Sequence, residues 1–265
     1  MPSMTRRIAV QLLLCGVVYL SNVALCSARQ SAGAPSGGTA AKAALTVDQV
    51  VSRMEQRNQE RAAALRTYEG TRLYRMQYRG FFGSHDAEIV VAVKASPSEK
   101  EFTVESQSGS KFIIDHVLRK LLDGEKEATD DQARSRTALT SRNYAFTLAG
   151  LDDSADDPQY ILNVVPKTDE KYLYRGRIWV DSNDFAVTRI EAEPARSPSM
   201  WIKKAEIRHK YEKVGDFWLP EENRTESLIR LGGRALLSID YREYKITGAT
   251  SLSVSSSPVV GIAGH

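Results

Sequence analysis

The sequence predicts a mainly β fold with two helices, an unclosed antiparallel β-barrel or curved meander that the helices cover. Between residues 67 and 246, apolar side chains recur at every second position in ten segments. Short turns such as Gly215-Asp216 and Gly232-Gly233 separate these segments, so neighbouring strands should pair as hairpins. Two other segments carry apolar residues at helical spacing. A long sheet with one apolar face needs such a cover.

An N-terminal export signal is predicted for residues 1–28. Two positive charges, Arg6 and Arg7, precede a mostly apolar stretch over 8–25, and the leader ends in small residues at Ala28. This order is typical of a secretory signal peptide that is cleaved after export. We therefore expect a soluble mature chain that begins after Ala28.

Two alternatives for this leader remain open. Its apolar stretch approaches the roughly 20 residues that cross a bilayer, so it can also serve as a membrane anchor. Lipidation of Cys26 is the second alternative, although Leu25 stands where a small residue is required. Both cysteines of the chain, Cys15 and Cys26, lie in the leader. The mature part therefore lacks the residues for a disulfide, a thiolate metal site or a cysteine nucleophile.

The charge distribution shows no footprint of a nucleic-acid partner, and none is expected. The formal net charge is +3, and removing the two leader arginines leaves the mature chain near +1. Charged residues make up 26% of the chain, with both signs interspersed and no basic patch.

One folded domain is predicted over residues 46–246. The preceding residues, 29–45, form a linker rich in Ala, Gly, Ser and Pro, which is typical of a flexible tether. The last residues, 247–265, are rich in Ser, Gly and Val with few charges, and they predict a disordered tail.

A helix opens the domain and a second one interrupts the strands. Thr46 and Gln49 have the spacing of a capping box, and apolar residues follow at helical intervals as far as Leu65. A second set of apolar residues has helical spacing from Phe112 to Leu122, and Gly124 is expected to end that helix.

The strands should present one apolar and one charged face. Ten strands are predicted over 67–79, 85–94, 99–107, 142–149, 158–166, 171–181, 185–193, 201–213, 217–229 and 234–246. In the last of them Leu237, Ile239 and Tyr241 share one face, whereas Ser238 and Asp240 lie on the other. Pro220 within a strand predicts an edge or a bulge.

The part of the apolar face that the helices leave uncovered is the candidate binding site. Such a groove has room for a hydrocarbon or acyl chain. The residues predicted to line it are Trp179, Trp201, Trp218, Ile207, Leu237, Ile239 and Tyr241. The tryptophans also fit the alternative of core or rim packing, since each is large and mostly apolar.

The sequence favours a binding role over catalysis, with no cofactor and no metal. His85, His116 and His209 stand alone, without a second histidine or a cysteine at metal-binding spacing. No G-x-S-x-G turn supplies a serine nucleophile. Asp152, Asp153, Asp156 and Asp157 form one carboxylate cluster, but their spacing matches no calcium loop and predicts a solvated loop.

The C-terminal half carries motifs of a known family. The runs GRIWVD at 176–181, AVTRIE at 186–191, YEKVGDFWLP at 211–220 and LSIDYREY at 237–244 resemble the outer-membrane lipoprotein-sorting protein family, which has the LolA/LolB-like fold. The resemblance covers about residues 46–246. It implies an unclosed antiparallel β-barrel with helices as a lid over an apolar cavity.

The resemblance also implies a periplasmic location and a class of partner. Members of the family carry the acyl chains of lipoproteins across the periplasm, so lipoprotein or lipid acyl chains and the membrane machinery for lipoproteins are the expected partners. Other members are periplasmic sensors, which makes a regulatory module for a protein partner the alternative. The carriers have an arginine that locks the lid, and Arg61, Arg66 and Arg72 are its candidates here.

Overall fold

The computed structural model describes residues 45–81, 83–97, 99–127, 135–153, 157–170, 172–197, 199–230 and 232–251. The predicted leader, nearly all of the linker and most of the predicted tail lie outside these described residues. Within them, no helix is long and apolar enough to cross a membrane.

A single antiparallel sheet of ten strands forms the framework. The strands are β1 (Leu65–Gly80), β2 (Gly83–Ala95), β3 (Lys100–Gly109), β4 (Tyr144–Asp152), β5 (Gln159–Pro166), β6 (Tyr174–Asp181), β7 (Val187–Pro194), β8 (Ile202–Val214), β9 (Phe217–Ile229) and β10 (Gly233–Ala249). Their order in the sheet is β3-β2-β1-β10-β9-β8-β7-β6-β5-β4. The edge strands are β3 and β4, so the sheet is not closed, and the predicted fold class is confirmed.

The first strand pairs with the last one. Their antiparallel register begins at Leu65 and Ala249 and ends at Gly80 and Gly233. The last strand therefore extends three residues beyond residue 246, the predicted end of the domain. Pairing with β1 accounts for this extension, because the partner strand satisfies backbone groups that a loose tail would leave to water.

The first helix, α1 (Val47–Ala64), begins at the predicted capping box. The backbone N–H of Gln49 donates to the Thr46 side chain at 3.3 Å, and the backbone N–H of Thr46 donates to the Gln49 side chain at 3.0 Å. Both contacts satisfy N–H groups that a helix start leaves without partners. The buried face of α1 carries Val50, Val51 and Met54.

A second helical region connects β3 with β4. It consists of α2 (Lys111–Ile113), a π-helical turn (Ile114–Leu118) and α3 (Arg119–Glu127), and residues 111–127 together are called the covering segment. The expectation that Gly124 ends this helix was wrong. Helix α3 continues through Gly124 because the next residue, Glu125, is held on the sheet by a buried ion pair with Arg72. That contact offsets the cost of an interior glycine, about 1 kcal/mol.

Pro220 lies at a bulge in β9, one of the two positions predicted for it. Tyr211 pairs with Pro220, but Lys210 pairs with Glu222, so β9 has one extra residue at this point. The missing N–H of proline is tolerated there because the regular ladder is already interrupted.

Each helical region covers its own apolar cluster. The first apolar cluster joins the covering segment, through residues such as Leu118 and Leu122, to β1, β2, β10 and the end of β9. The second apolar cluster joins Val50, Val51 and Met54 of α1 mainly to β4, β5, β6 and β7. The two clusters lie on the same side of the sheet, as the register across the central strands shows.

Candidate ligand-binding face

A row of directly paired residues crosses the sheet and defines its inner face. From β1 to β5 the row contains Tyr74, Ile239, Asn223, His209, Ile190, Ile178 and Leu162. Residues that are directly opposite in antiparallel strands point to the same face. Tyr74 and Ile239 belong to the first apolar cluster, and Ile190 and Ile178 belong to the second. Both helical covers therefore lie on this inner face.

The centre of the inner face is polar. His209 of β8 and three residues of β9, Asn223, Thr225 and Ser227, are all buried, with exposures of 2–7%. We call these four residues the polar strip. It belongs to neither apolar cluster. Strands β8 and β9 lie between the strands of the first apolar cluster and those of the second. On these two strands the polar strip separates one cluster from the other.

The polar strip was missed in the sequence, although a signal for it exists. In β8, His209 lies on the same face as Ala205 and Ile207 because the three alternate with a period of two. In β9 the alternation of Asn223, Thr225 and Ser227 places three polar residues on one face. A central strand with a polar inner face is unusual, because buried polar groups need partners.

His209 is buried as a neutral imidazole. Burial lowers its pKa from 6.5 to about 4, and a hydrogen bond with the side chain of the facing Asn223 offsets this effect in part. The hydroxyl of Thr225 has no hydrogen-bond partner in the described part of the chain.

The neutral His209 should make stability depend on pH. In the unfolded chain the imidazole takes up a proton near pH 6.5, but in the folded domain only near pH 4. The unfolded state thus binds more protons in this window, and stability is lost as the pH falls from about 6.5 to about 4, by roughly 3 kcal/mol. Urea unfolding at pH 7.5 and 4.5 should show that His209→Gln removes much of this loss, whereas His85→Gln, at an exposed site, retains it. Equal pH dependence of the two variants would contradict the buried neutral state.

A buried ion pair holds the covering segment on the inner face. Arg72 Nη1 of β1 donates to Glu125 Oε2 of α3 at 2.6 Å, and the Tyr74 hydroxyl donates to the other carboxylate oxygen at 3.0 Å. The side chains of Arg72 and Glu125 are 4% and 3% exposed. Burial lowers the pKa of Arg72, but the charge of Glu125 outweighs this effect and raises that pKa well above its usual value. The guanidinium also lies 5.0 Å from the ring centre of Tyr241.

The three candidate arginines have different surroundings. Arg72 is the one that joins the sheet to the covering segment. Arg61 of α1 donates to the backbone carbonyl of Asp184 in the turn between β6 and β7. Arg66 is exposed. Arg72 and Arg61 therefore both join a helical cover to the sheet, Arg72 through a buried ion pair and Arg61 through a backbone carbonyl.

Four of the predicted lining residues lie on the inner face. Leu237, Ile239 and Tyr241 are buried in the first apolar cluster. Ile207 is 5% exposed and pairs directly with Thr225 of the polar strip. Contact of these residues with a ligand stays a prediction.

Trp179 lies on the opposite face of the sheet. Its direct partner across the strands is Arg189, and the guanidinium carbons of Arg189 and Arg177 lie 4.3 Å and 5.9 Å from the ring centre. The neighbouring Ile178 points to the second apolar cluster instead. This placement matches the alternative of structural packing for Trp179, and the ring does not line the inner face.

The other two tryptophans lie at strand ends. Trp218 donates its indole N–H to the carboxylate of Asp184 at 3.0 Å, and Lys213 pairs with the same carboxylate at 2.6 Å. Burial raises the pKa of Asp184, but these two donors outweigh it and lower that pKa below its usual value. Trp201 is half-buried just before β8. A ligand contact for either ring stays a prediction.

The described residues contain no group of three or more histidine, cysteine or carboxylate side chains that could hold a metal ion. Of the predicted carboxylate cluster, Asp152, Asp153 and Asp157 are described, whereas Asp156 lies outside the described residues.

Comparison with known proteins finds similarity in structure only. A scan against models of protein families finds no match, and a search of curated protein sequences finds no relative. Solved structures with a similar fold include a LolA superfamily protein from Nitrosomonas europaea, with 12% identity, 78% of this chain and 96% of that chain covered, and a TM-score of 0.35. A DUF1329 family protein from Desulfovibrio piger has 13% identity, coverage of 77% and 95%, and a TM-score of 0.40.

A third match is an outer membrane lipoprotein-sorting protein domain from Vibrio parahaemolyticus, with 8% identity, coverage of 76% and 93%, and a TM-score of 0.37. Two of these structures are named for the LolA superfamily and for lipoprotein sorting, respectively.

Proposed function

We propose that this chain is a periplasmic binding or carrier protein for the acyl chains of lipoproteins or lipids, and that it binds them on the inner face of the open sheet. The proposal is a binding role without catalysis. The observation that carries it is the pair of apolar clusters on one face, each under a separate helical cover, with one cover locked by the buried pair of Arg72 and Glu125.

The lock supports a cover that can open. The covering segment is joined to β3 and, through residues 128–143, to β4, which are the two edge strands of the sheet. Its polar attachment to the sheet interior is Glu125, which accepts hydrogen bonds from Arg72 and Tyr74 of β1. Lifting the segment would expose the apolar residues of β1, β2 and β10, and an acyl chain can replace the cover there.

The free energy of burying an acyl chain is large enough for the chain to bind in place of the covering segment. Burying hydrocarbon contributes about 0.8 kcal/mol per methylene, so an eight-carbon segment contributes on the order of 6 kcal/mol before ordering costs. Micromolar affinity needs about 8 kcal/mol, which chains of ordinary lipid length can supply after such costs. The predicted cleaved leader supports export to the periplasm, where such a carrier meets lipoproteins.

A fluorescent fatty-acid analogue should therefore bind the purified protein saturably, and unlabelled lipoprotein or phospholipid should displace it. Ile207→Ala should weaken uptake several-fold because it removes apolar contact beside the polar strip. Glu206→Ala is the matched control, since Glu206 is the adjacent residue on the outer face and pairs with Lys204 at 2.7 Å in solvent. Fluorescence titration measures both. A well-folded protein without saturable uptake would contradict the proposal.

A regulatory role with a protein partner is the second candidate, and the edge strand β4 favours it. Leu148 and Leu151 of β4 are 45% and 52% exposed, next to an unpaired strand edge. Such an edge can accept a strand from another protein. Leu151→Glu should then abolish capture of the partner while fatty-acid uptake persists, and loss of both together would speak against this second candidate.

A further inference from the structure

One end of the sheet brings three loops together. Strand β1 ends at Gly80, which pairs with Gly233, the first residue of β10. Beside them, the backbone N–H of Arg230 donates to the carbonyl of Trp201, just before β8, at 2.8 Å. The β1–β2, β9–β10 and β7–β8 loops therefore lie next to one another. We call these loops, with their flanking residues, the loop end of the sheet: 79–85, 228–235 and 195–205.

The loop end exposes large apolar side chains. Phe81 of the β1–β2 loop is 84% exposed and Met200 of the β7–β8 loop is 75% exposed, the two highest values among the large apolar residues that the structure describes. Trp201 follows Met200 and is half-buried. Three strand spacings separate β1 from β8, which is roughly 15 Å, so the two exposed side chains can touch the same flat surface.

A tight turn holds Phe81 in this exposed position. A Cβ atom on Gly80 would lie 2.7 Å from the Cα atom of Gly233, so only glycine permits this close approach of the two hairpins. Gly83, on the other side of the turn, has a φ of +95°, which other residues rarely adopt. Packed backbone thus presents Phe81 to water, where a partner that buries the ring would stabilise it.

The loop end is also basic. Its three segments contain six lysine or arginine residues, all exposed, and no aspartate or glutamate: Arg79, Arg196, Lys203, Lys204, Arg230 and Arg234. Three of them pair with acidic residues of the neighbouring strands, namely Arg79, Lys204 and Arg234. The other three form no ion pair within the described part of the chain. Because the six come from separate segments, the sequence alone shows no basic patch.

The opposite end of the sheet is acidic. The four connections there, with their flanking residues, contain eight aspartates or glutamates and no lysine or arginine: 96–99, 152–157, 181–184 and 215–216. One of these carboxylates, Asp184, pairs with Lys213. The mature chain as a whole is nearly neutral, so its charges are separated along the strand direction. A negatively charged surface would attract the loop end and repel the opposite one.

This mixture of side chains fits a lipid surface better than a protein partner. The core of a protein interface concentrates apolar residues and is depleted of charged ones. At the loop end, single apolar side chains stand among exposed cations instead. A bilayer suits both, because apolar side chains enter the boundary between headgroups and acyl chains while lysine and arginine contact anionic headgroups.

We propose that the loop end docks on the surface of a bilayer that contains anionic phospholipid. Phe81 and Met200 enter the headgroup region. Lys203 and Arg230 contact the phosphates. Docking is peripheral and reversible, because two apolar side chains bury far less hydrocarbon than a lipid anchor. The loop end lies outside the inner face, so docking does not depend on the uptake of a ligand there.

Cosedimentation with vesicles tests the docking. Vesicles of phosphatidylethanolamine with about one-third phosphatidylglycerol should bind the purified protein, and vesicles of phosphatidylcholine should bind it at least about tenfold more weakly. Raising NaCl from about 0.1 M to about 0.5 M should weaken the binding to anionic vesicles. Lys203→Ala with Arg230→Ala should lower the partition coefficient roughly tenfold, since each cation near an anionic surface contributes about fivefold. Phe81→Ser with Met200→Ser should lower it by about tenfold or more.

Two variants serve as controls. Lys94 lies at the opposite end of the sheet and its side chain is 70% exposed, so Lys94→Ala removes one charge away from the proposed surface. Phe81→Leu keeps an apolar side chain at the turn. Both should bind anionic vesicles within about twofold of wild type. All these substitutions change exposed side chains, so the melting temperature should stay close to that of wild type.

Each other result would overturn the docking. Equal binding to anionic and neutral vesicles would remove the role of the basic residues. Wild-type partition in both double variants would show that another part of the chain meets the bilayer. A protein that binds the loop end, with no binding to anionic vesicles, would replace the bilayer as partner. Uptake of the fluorescent fatty-acid analogue should be the same in all variants, so the proposed function is judged separately.

Discussion

Replacing Glu125 by alanine is expected to lower the free energy of unfolding by roughly 3–5 kcal/mol, because it leaves the Arg72 guanidinium buried without a counter-charge. The hydroxyl of Tyr74 loses its acceptor at the same time. Urea unfolding monitored by circular dichroism measures the loss. The covering segment should also become more accessible to protease than α1, since its attachment to β1 is removed.

A matched control lies on the same segment. Asp115 and Arg119 form an exposed pair at 3.3 Å, and Asp115→Ala should cost about 0.5 kcal/mol or less. The double variant Arg72→Met with Glu125→Met should recover most of the stability, because two apolar side chains avoid the burial of an isolated charge. Equal losses in Glu125→Ala and Asp115→Ala would show that the buried pair does not hold the cover.

Ile239→Asp is expected to destabilise the domain by about 4 kcal/mol or more, because an unpaired carboxylate would be buried at the centre of the first apolar cluster. Ile239 is fully buried between Tyr74 and Asn223 of the inner-face row. Thermal and urea unfolding both measure this loss.

The adjacent residue provides the control for that variant. Asp240 lies on the outer face, where it pairs with Arg75 at 2.6 Å and Arg242 at 3.6 Å in partly exposed contacts. Asp240→Ala should therefore cost roughly 0.5 kcal/mol. If the two substitutions had equal effects, the assignment of faces in β10 would be wrong.

Much of the sheet could be predicted because a period of two is clear in strands such as β2, β9 and β10. The faces of β10 follow from Leu237, Ile239 and Tyr241 alone, and the bulge at Pro220 follows from the missing backbone donor. The end of α3 could not be predicted in this way. Gly124 is a local signal for termination, but the ion pair of Glu125 with Arg72 comes from residues far apart in the chain, and a tertiary contact overrides local propensity.

The candidate site was predicted less completely than the fold. Hydrophobicity selected Ile207, Leu237, Ile239 and Tyr241, which do share the inner face. The same criterion also predicted Trp179, whose ring lies near two arginines on the other face, because size and aromatic character do not say which side of a strand a residue occupies. The polar strip was overlooked because its residues lie on two strands, β8 and β9. Their pairing register, which brings the residues together, cannot be read from the sequence.

The pairing of β1 with β10 constrains the order in which this protein can fold. Strands β1 to β3 form one hairpin set and β4 to β9 form another, and β10 bonds to both sets. Until the last strand is in place, β1 and β9 are both free edges, and the ladder between Leu65 and Ala249 closes a loop of almost the whole domain. Such distant contacts slow folding and leave strand edges open to aggregation. A chain that is exported unfolded would therefore need its C-terminal strand on the far side of the membrane before the sheet could assemble.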